Sequence, residues 1–160
     1  MKNRVKTAVI GCGKVGHLHA QAYFDTKDSE FVGACNHNIA GALKFEKEYG
    51  VRAFDSVSRM VEKTGAKLVS ICTPHPNHRI PAIEAIEAGA HVLIEKPLAI
   101  TLSDCDAILN AATKRGVKVG VVSQRRFYPP ACRLKQALDD GKLGKPIIGT
   151  VTILGWRDMA

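Results

Sequence analysis

Short apolar runs alternate with longer amphipathic stretches along the whole first three-quarters of the chain. Val5 to Ile10, Phe31 to Cys35, the neighbourhood of Ala53-Phe54, Leu68 to Cys72, His91 to Ile94 and Val117 to Val122 have the length and continuous apolarity of buried strands. Between them the period changes to that of a helix. A helix is predicted from about Val15 to Phe24, and another over Ile39 to Tyr49 with Ala42, Phe45 and Tyr49 on one side. A short helix follows from Ser56 to Lys63. Asn77 to Ala88 carries Ile80, Ile83 and Ile86 at intervals of three and stops at Gly89. Thr101 and Asp104 form a capping-box-like start. Cys105, Ile108, Leu109 and Ala112 then mark one helical face, which Gly116 ends. Continuous apolar strands separated by amphipathic helices require a parallel sheet covered on both faces. Right-handed crossovers make it a doubly wound, Rossmann-like α/β sheet.

The tail departs from this rhythm. Ala131, Leu134, Ala137 and Leu138 predict a crossing helix closed by Asp139-Asp140-Gly141. A turn over Lys142 to Pro146 leads into a predicted strand, Ile147 to Leu154. One strand beyond a completed sheet lacks a partner, so it is expected to open a truncated second α+β domain. The boundary is placed between residues 124 and 125, giving 1–124 as the nucleotide-binding domain and 125–160 as the crossing helix and the start of the next.

Composition narrows the classes. A chain of 160 residues, 46% hydrophobic and 24% charged, is ordinary for a globular protein. No apolar run reaches bilayer length, and the first one ends too soon in glycine to be a secretion signal. Five widely spaced cysteines, without a CxxC pair, argue against a disulfide framework and for a reducing, cytoplasmic setting. The net charge of +8 would permit phosphate or nucleic-acid binding, but lysine and arginine are spread along the chain as on a solvated surface. Neither nucleic acid nor membrane is expected as a partner.

The chemistry gathers after the strands. Gly11-Cys12-Gly13-Lys14-Val15-Gly16 is a GxGxxG between a strand and a helix, the context in which that pattern cradles a dinucleotide. Gly11 allows the tight turn, Gly13 lets a pyrophosphate approach the backbone, and Gly16 lets helix and strand pack closely. Lys14 and Val15 supply further main-chain amides at the positive end of the helix dipole. An acidic residue that would hold the adenosine ribose of NAD is replaced by Asn36, followed by His37. Asparagine does not repel a 2′-phosphate, and no arginine follows to welcome one, so NAD and NADP both stay open.

The strand ending at Cys72 runs into Thr73-Pro74-His75-Pro76-Asn77-His78, and the strand ending at Ile94 into Glu95-Lys96-Pro97. Both segments fall at the carboxyl edge of the sheet, beside the glycine turn. With the TPHPNH and AGAHVLIEKPLA segments, and with SQRRFYP followed by LGKP, the chain resembles the glucose–fructose oxidoreductase / inositol dehydrogenase (Gfo/Idh/MocA) family along nearly its entire length. That resemblance implies hydride transfer between a nicotinamide and a hydroxyl-bearing carbon of a sugar, inositol or related polyol. It implies that Glu95 holds the nicotinamide ribose and that Lys96 is catalytic, polarising the reacting oxygen. Thr73, Pro74, Asn77 and His78 would line the cofactor channel. Gln124, Arg126, Trp156 and Arg157 would reach toward the nicotinamide, and the full-length form would be a homo-oligomer. An acid and a histidine that relatives carry on a helix of the second domain have no match here. The chain alone is therefore expected to bind cofactor without turnover.

Other chemistries fit less well. Cys72, His75 and His78 have metal-like spacing, but two prolines make the segment a turn and no fourth ligand lies near, so no metal is expected. His17 and His19 are read as a surface and an interface residue. Ser70 and Ser123 lack a nucleophile elbow, and Cys12 is a small filler beneath bound phosphate. The alternative to an oxidoreductase is a stand-alone dinucleotide-binding sensor or inactive remnant.

Overall fold

The computed structural model describes residues 4–152 and 154–156. They divide into two compact units, one ending at Val122 and the other beginning at Ser123.

The first unit is a six-stranded parallel sheet in the order β3-β2-β1-β4-β5-β6. Its strands are β1 (Val5–Ile10), β2 (Ser29–Cys35), β3 (Arg52–Phe54), β4 (Leu68–Ile71), β5 (His91–Ile94) and β6 (Val119–Val121). The helices are α1 (Lys14–Asp25), α2 (Ile39–Tyr49), α3 (Val57–Thr64), α4 (Arg79–Glu87) and α5 (Leu102–Arg115). Strand order reverses at β1, which lies between β2 and β4. That reversal opens the crevice where doubly wound sheets bind their ligands.

Alternation along the strands divides the core. Ala8, Ile10, Val69 and Ile71 pack on one face with Met60, Ile86 and Ile108. Val9, Ala34 and Cys72 pack on the other with Ala20 and Phe45. Helix starts are specified locally: Asn38, Ser56 and Thr101 cap α2, α3 and α5 through their side chains. The stops are equally local, since α2, α3 and α5 end on left-handed glycines at Gly50, Gly65 and Gly116.

Three expectations need correction. The helix expected from Asn77 is broken into a 3-10 turn, His75–Asn77, and α4. Its buried face is Ala82, Ala85 and Ile86, while Ile80 is 69% exposed. A spacing of three drifts round a 3.6-residue helix, so the first isoleucine leaves the core face. Leu109 on α5 is likewise exposed, whereas Ile108 and Ala112 are buried.

The second unit holds a 3-10 turn (Gln124–Phe127) and α6 (Pro129–Asp139), whose predicted apolar face buries none of its residues. The strand expected over 147–154 is absent among its described residues, and Ile153 lies outside them. A strand without a neighbour has nothing to receive its backbone hydrogen bonds.

Phe45 is wholly buried in the face that carries α1 and α2. Phe45→Ala is expected to cost about 3–5 kcal/mol, read as a lowered urea midpoint at unchanged m-value.

Candidate functional site

The register brings the chemistry-bearing loops to one edge. Ile10 is level with Cys35 and with Ile71, and Ile71 with Ile94. The ladder runs one residue further on each strand. Gly11 donates to the Cys35 carbonyl at 2.9 Å, Cys72 to that of Ile10 at 2.8 Å and Glu95 to that of Ile71 at 3.0 Å. The turns after β1, β2, β4 and β5 therefore rise side by side around a cavity of about 930 Å³. That is near the upper end of the range for ligand pockets.

The three glycines of the first turn have separate reasons. Gly11 has φ +94, and a Cβ there would sit 2.7–2.8 Å from the backbone of Cys72 and Thr73. A Cβ on Gly16 would sit 2.1 Å from the Gly11 carbonyl oxygen, so only glycine lets α1 start so close to the turn. Gly13 meets nothing within 4 Å; the space above it is open. Gly13 is also the N-cap of α1 and offers no side chain, and the helix has no acid in its first turn. The first amides of α1 thus keep their hydrogen-bonding capacity at the positive helix end. The open ground over Gly13 and these uncapped amides fit a diphosphate.

Of the expected site residues, Gly11, Gly13, Lys14 and Val15 line the cavity from the first turn, with Asn36 and His37 from the end of β2. Thr73, Pro74 and Asn77 line it from the turn after β4, and Glu95 and Lys96 from the end of β5. Asn36 is engaged on both sides of its carboxamide. Its Oδ1 accepts from the Cys12 amide at 3.2 Å, and its Nδ2 donates to the Asn38 carbonyl at 3.0 Å. Lys96 is exposed, and its ammonium makes no salt bridge among the described residues. It is free to meet a ligand oxygen.

Two expected residues take other positions. Gly16 is buried against the turn, where the lack of a Cβ lets α1 pack closely, and it does not line the cavity. His78, expected as a channel wall, is fully buried and does not line the cavity. Its ring nitrogens lie 2.9 Å from the Pro97 carbonyl oxygen and 3.0 Å from that of Thr73. The imidazole ties the loop after β4 to the Lys96-Pro97 segment, so it shapes the wall from behind. Gln124 and Arg126 stand exposed on the 3-10 turn of the second unit. Trp156 is 90% exposed in that unit, and Arg157 lies outside the described residues.

The sequence reading passed over several residues. His75, Asp55, Ser56 and Ile80 line the cavity. His19, expected at a surface or interface, faces the sheet: its side chain is 13% exposed and pairs with Glu95 at 3.0 Å. The signal was available. Gly16, His19, Ala20 and Tyr23 form one face of α1, and Gly16 and Ala20 on it are buried. Burial pushes the Cys12 and Cys35 thiols up to about 12 and raises Cys72 further.

Residues 5–123 match the GFO_IDH_MocA family, described as an oxidoreductase family with an NAD-binding Rossmann fold. The UDP-N-acetylglucosamine 3-dehydrogenase of Acidithiobacillus ferrooxidans is 35% identical over 133 residues, which are 83% of this chain and 41% of that protein. The scyllo-inositol 2-dehydrogenase (NAD(+)) of Bacillus subtilis is 30% identical over 149 residues, 92% of this chain and 44% of that one. Among solved structures, the WlbA dehydrogenase of Bordetella pertussis, in complex with NADH and UDP-GlcNAcA, superposes with a TM-score of 0.82 at 30% identity. The match covers 89% of this chain and 45% of WlbA. The chain thus spans about half the length of these relatives.

The raised thiols give a direct check on the geometry of the first turn. At pH 8 a thiol with a value of about 12 is ionised to about one part in ten thousand. Cys12 and Cys35 are expected to resist iodoacetamide in the folded chain, while exposed Cys132 is alkylated. Peptide mass spectrometry before and after denaturation reads the difference.

Proposed function

The chain belongs to the GFO_IDH_MocA oxidoreductase family, and on that footing we propose that it supplies the dinucleotide-binding part of a sugar or polyol dehydrogenase. The observation that carries the reading is the shared cavity. One wall is the open glycine turn, and the opposite wall is Glu95-Lys96. A dinucleotide has its diphosphate in the middle and its redox ring at one end. With the diphosphate on the amides of Gly13 to Gly16, one end extends toward Asn36 and the other toward Glu95 and Lys96. Either NAD or NADP would supply hydride acceptance and donation at the nicotinamide.

The chain's own residues have these roles in the proposal. Glu95 accepts hydrogen bonds from the nicotinamide ribose. Lys96 directs its ammonium at the substrate oxygen and stabilises the negative charge that grows there as the hydroxyl proton leaves. Thr73, Pro74 and Asn77 form the side wall, with Lys14 and Val15 beside the diphosphate and Asn36 and His37 at the adenosine end.

The substrate class is a sugar, inositol or related polyol. Support comes from the relatives' named activities on UDP-N-acetylglucosamine and scyllo-inositol. The chain alone would bind cofactor without turnover, because no residue here matches the relatives' proton-transfer pair. The five free cysteines suit a reducing, cytoplasmic compartment.

Calorimetric titration with NAD and NADP tests the reading, and at least one of them is expected to bind, weakly. Gly13→Val separates binding from folding. Its backbone is extended, at φ −92 and ψ −169, and its Cβ would meet nothing, so the cost should be limited to about 1 kcal/mol for placing valine at the helix N-cap. Affinity for either dinucleotide should fall by at least about tenfold, because side-chain atoms then fill the phosphate's place. Undiminished affinity in that variant would refute the phosphate assignment.

A further inference from the structure

Glu95 does not stand alone at the cavity wall. Its Oε2 accepts from the Lys96 amide at 3.2 Å, and its Oε1 lies 3.0 Å from His19 Nε2. Behind the imidazole, His19 Nδ1 lies 2.9 Å from the Ser70 hydroxyl, which is 2.6 Å from the Tyr23 hydroxyl. Ser70 is fully buried in the middle of an apolar strand. A hydroxyl there costs stability unless both its donor and acceptor capacities are used. The chain starts on α1, passes through β4 and ends on the residue after β5. It therefore crosses three elements to reach one carboxylate.

We propose that His19 is a positioning residue for the dinucleotide's nicotinamide ribose, acting through Glu95. The inference rests on the reading that Glu95 meets that ribose.

One arrangement of protons satisfies every group in the chain. Tyr23 donates to Ser70, Ser70 donates to Nδ1 of His19, and the Nε2–H of His19 donates to Oε1 of Glu95. The Tyr23 phenol is pushed up to about 12, chiefly by burial, so it retains the proton that this direction requires. With Oε1 held by the imidazole, the carboxylate cannot turn about its last torsion without breaking a charge-assisted bond. The acceptor positions left to Glu95 then keep one direction. Glu95 is 17% exposed, which leaves an opening for a ligand but little room for other rotamers. A preset acceptor binds a diol more tightly than one that must be ordered on contact. The same helix that offers its N-terminus to the diphosphate thus steadies the far end of the cofactor from its second turn of side chains.

The test separates the two ends of the cofactor. ADP reaches only the glycine turn and the adenosine pocket; NADH also reaches Glu95. Affinities of the chain for both are measured by calorimetry, with the fluorescence of the bound reduced nicotinamide as a second readout. His19→Ala is expected to weaken NADH on the order of tenfold and to leave ADP unchanged. Glu95→Ala should do the same, and the double variant should lose no more than either single one. His19→Gln, whose amide can donate to Oε1, should recover most of the loss. Ser70→Ala, which removes the partner of Nδ1 and of the Tyr23 hydroxyl but leaves His19 and Glu95 in place, should give a smaller loss confined to NADH, and it decides the matter if His19→Ala fails to fold. Three results overturn the inference alone while the wild-type chain binds both ligands: NADH affinity unchanged in the folded His19 variant, or unchanged in Ser70→Ala where His19→Ala does not fold, or ADP and NADH weakened together. A wild-type chain that binds neither ligand overturns the dinucleotide reading, and this inference with it.

Discussion

Everything at the carboxyl edge of this sheet depends on how closely α1 can approach the turn that precedes it. The limit is set at Gly16, where a single methyl would lie 2.1 Å from the carbonyl oxygen of Gly11. Glycine removes that collision, and the helix starts directly over the end of β1. Two consequences follow from one contact. The residues that carry the uncapped amides of α1 line the cavity. The face that continues from Gly16 is pressed on the sheet, which brings His19 and Tyr23 over Ser70. The glycine usually discussed as a packing residue therefore also decides which polar side chains of the helix become internal.

The cavity walls are stiffened in the same manner, by polar groups that are fully used. The His78 ring joins the two loops after β4 and β5 through their carbonyl oxygens. Thr73 Oγ1 donates to the Asn77 carbonyl at 2.9 Å and closes the loop after β4 on itself. Among the described residues, no buried side-chain nitrogen or oxygen is left without a partner. Loops on a parallel sheet are ordinarily its most mobile parts. Here histidines substitute for apolar packing. The His78 ring sits between two carbonyl oxygens, at least one of which accepts its N–H, and this directional contact orients the loops in a way that a leucine of similar volume does not.

The sheet and most helix boundaries were legible because their signals are local. The helix expected over Ile39 to Tyr49 from its apolar side has those bounds in the structure, where Asn38 caps it and Gly50 stops it. The glycine turn and the segments after β4 and β5 were legible because strand ends are legible, and a parallel sheet puts them on one edge. What stayed hidden depends on contacts distant in sequence. The helical face shared with Gly16 and Ala20 turns His19 inward, but its partner Ser70 lies fifty-one residues later in the sequence. The burial of His78 requires the carbonyl of Pro97, nineteen residues on. A histidine carries no periodic hydrophobic signal, so pattern reading assigns it to the surface by default. The tail misled in the other direction: β-branched residues over 147–154 favour a strand, but propensity without a neighbouring strand does not make one.

Asn36 illustrates why chemistry at a position cannot be read from its side chain alone. At the end of β2 an acid would both hold a ribose and repel a 2′-phosphate. Asparagine keeps the shape and loses the charge, which by itself says only that repulsion is gone. In the folded chain the carboxamide is engaged by the Cys12 amide on one side and the Asn38 carbonyl on the other. It is also wedged against the start of α2, where a Cβ on Gly41 would lie 2.6 Å from Asn36 Nδ2. Its first task is to pin the glycine turn to the end of β2. A carboxylate could still accept from Cys12 but could not donate to Asn38, so restoring the acid would loosen the loop while restoring the charge. The neutral residue and the glycine at position 41 form one structural unit, and His37, Asp55 and Ser56 line the same cavity as Asn36.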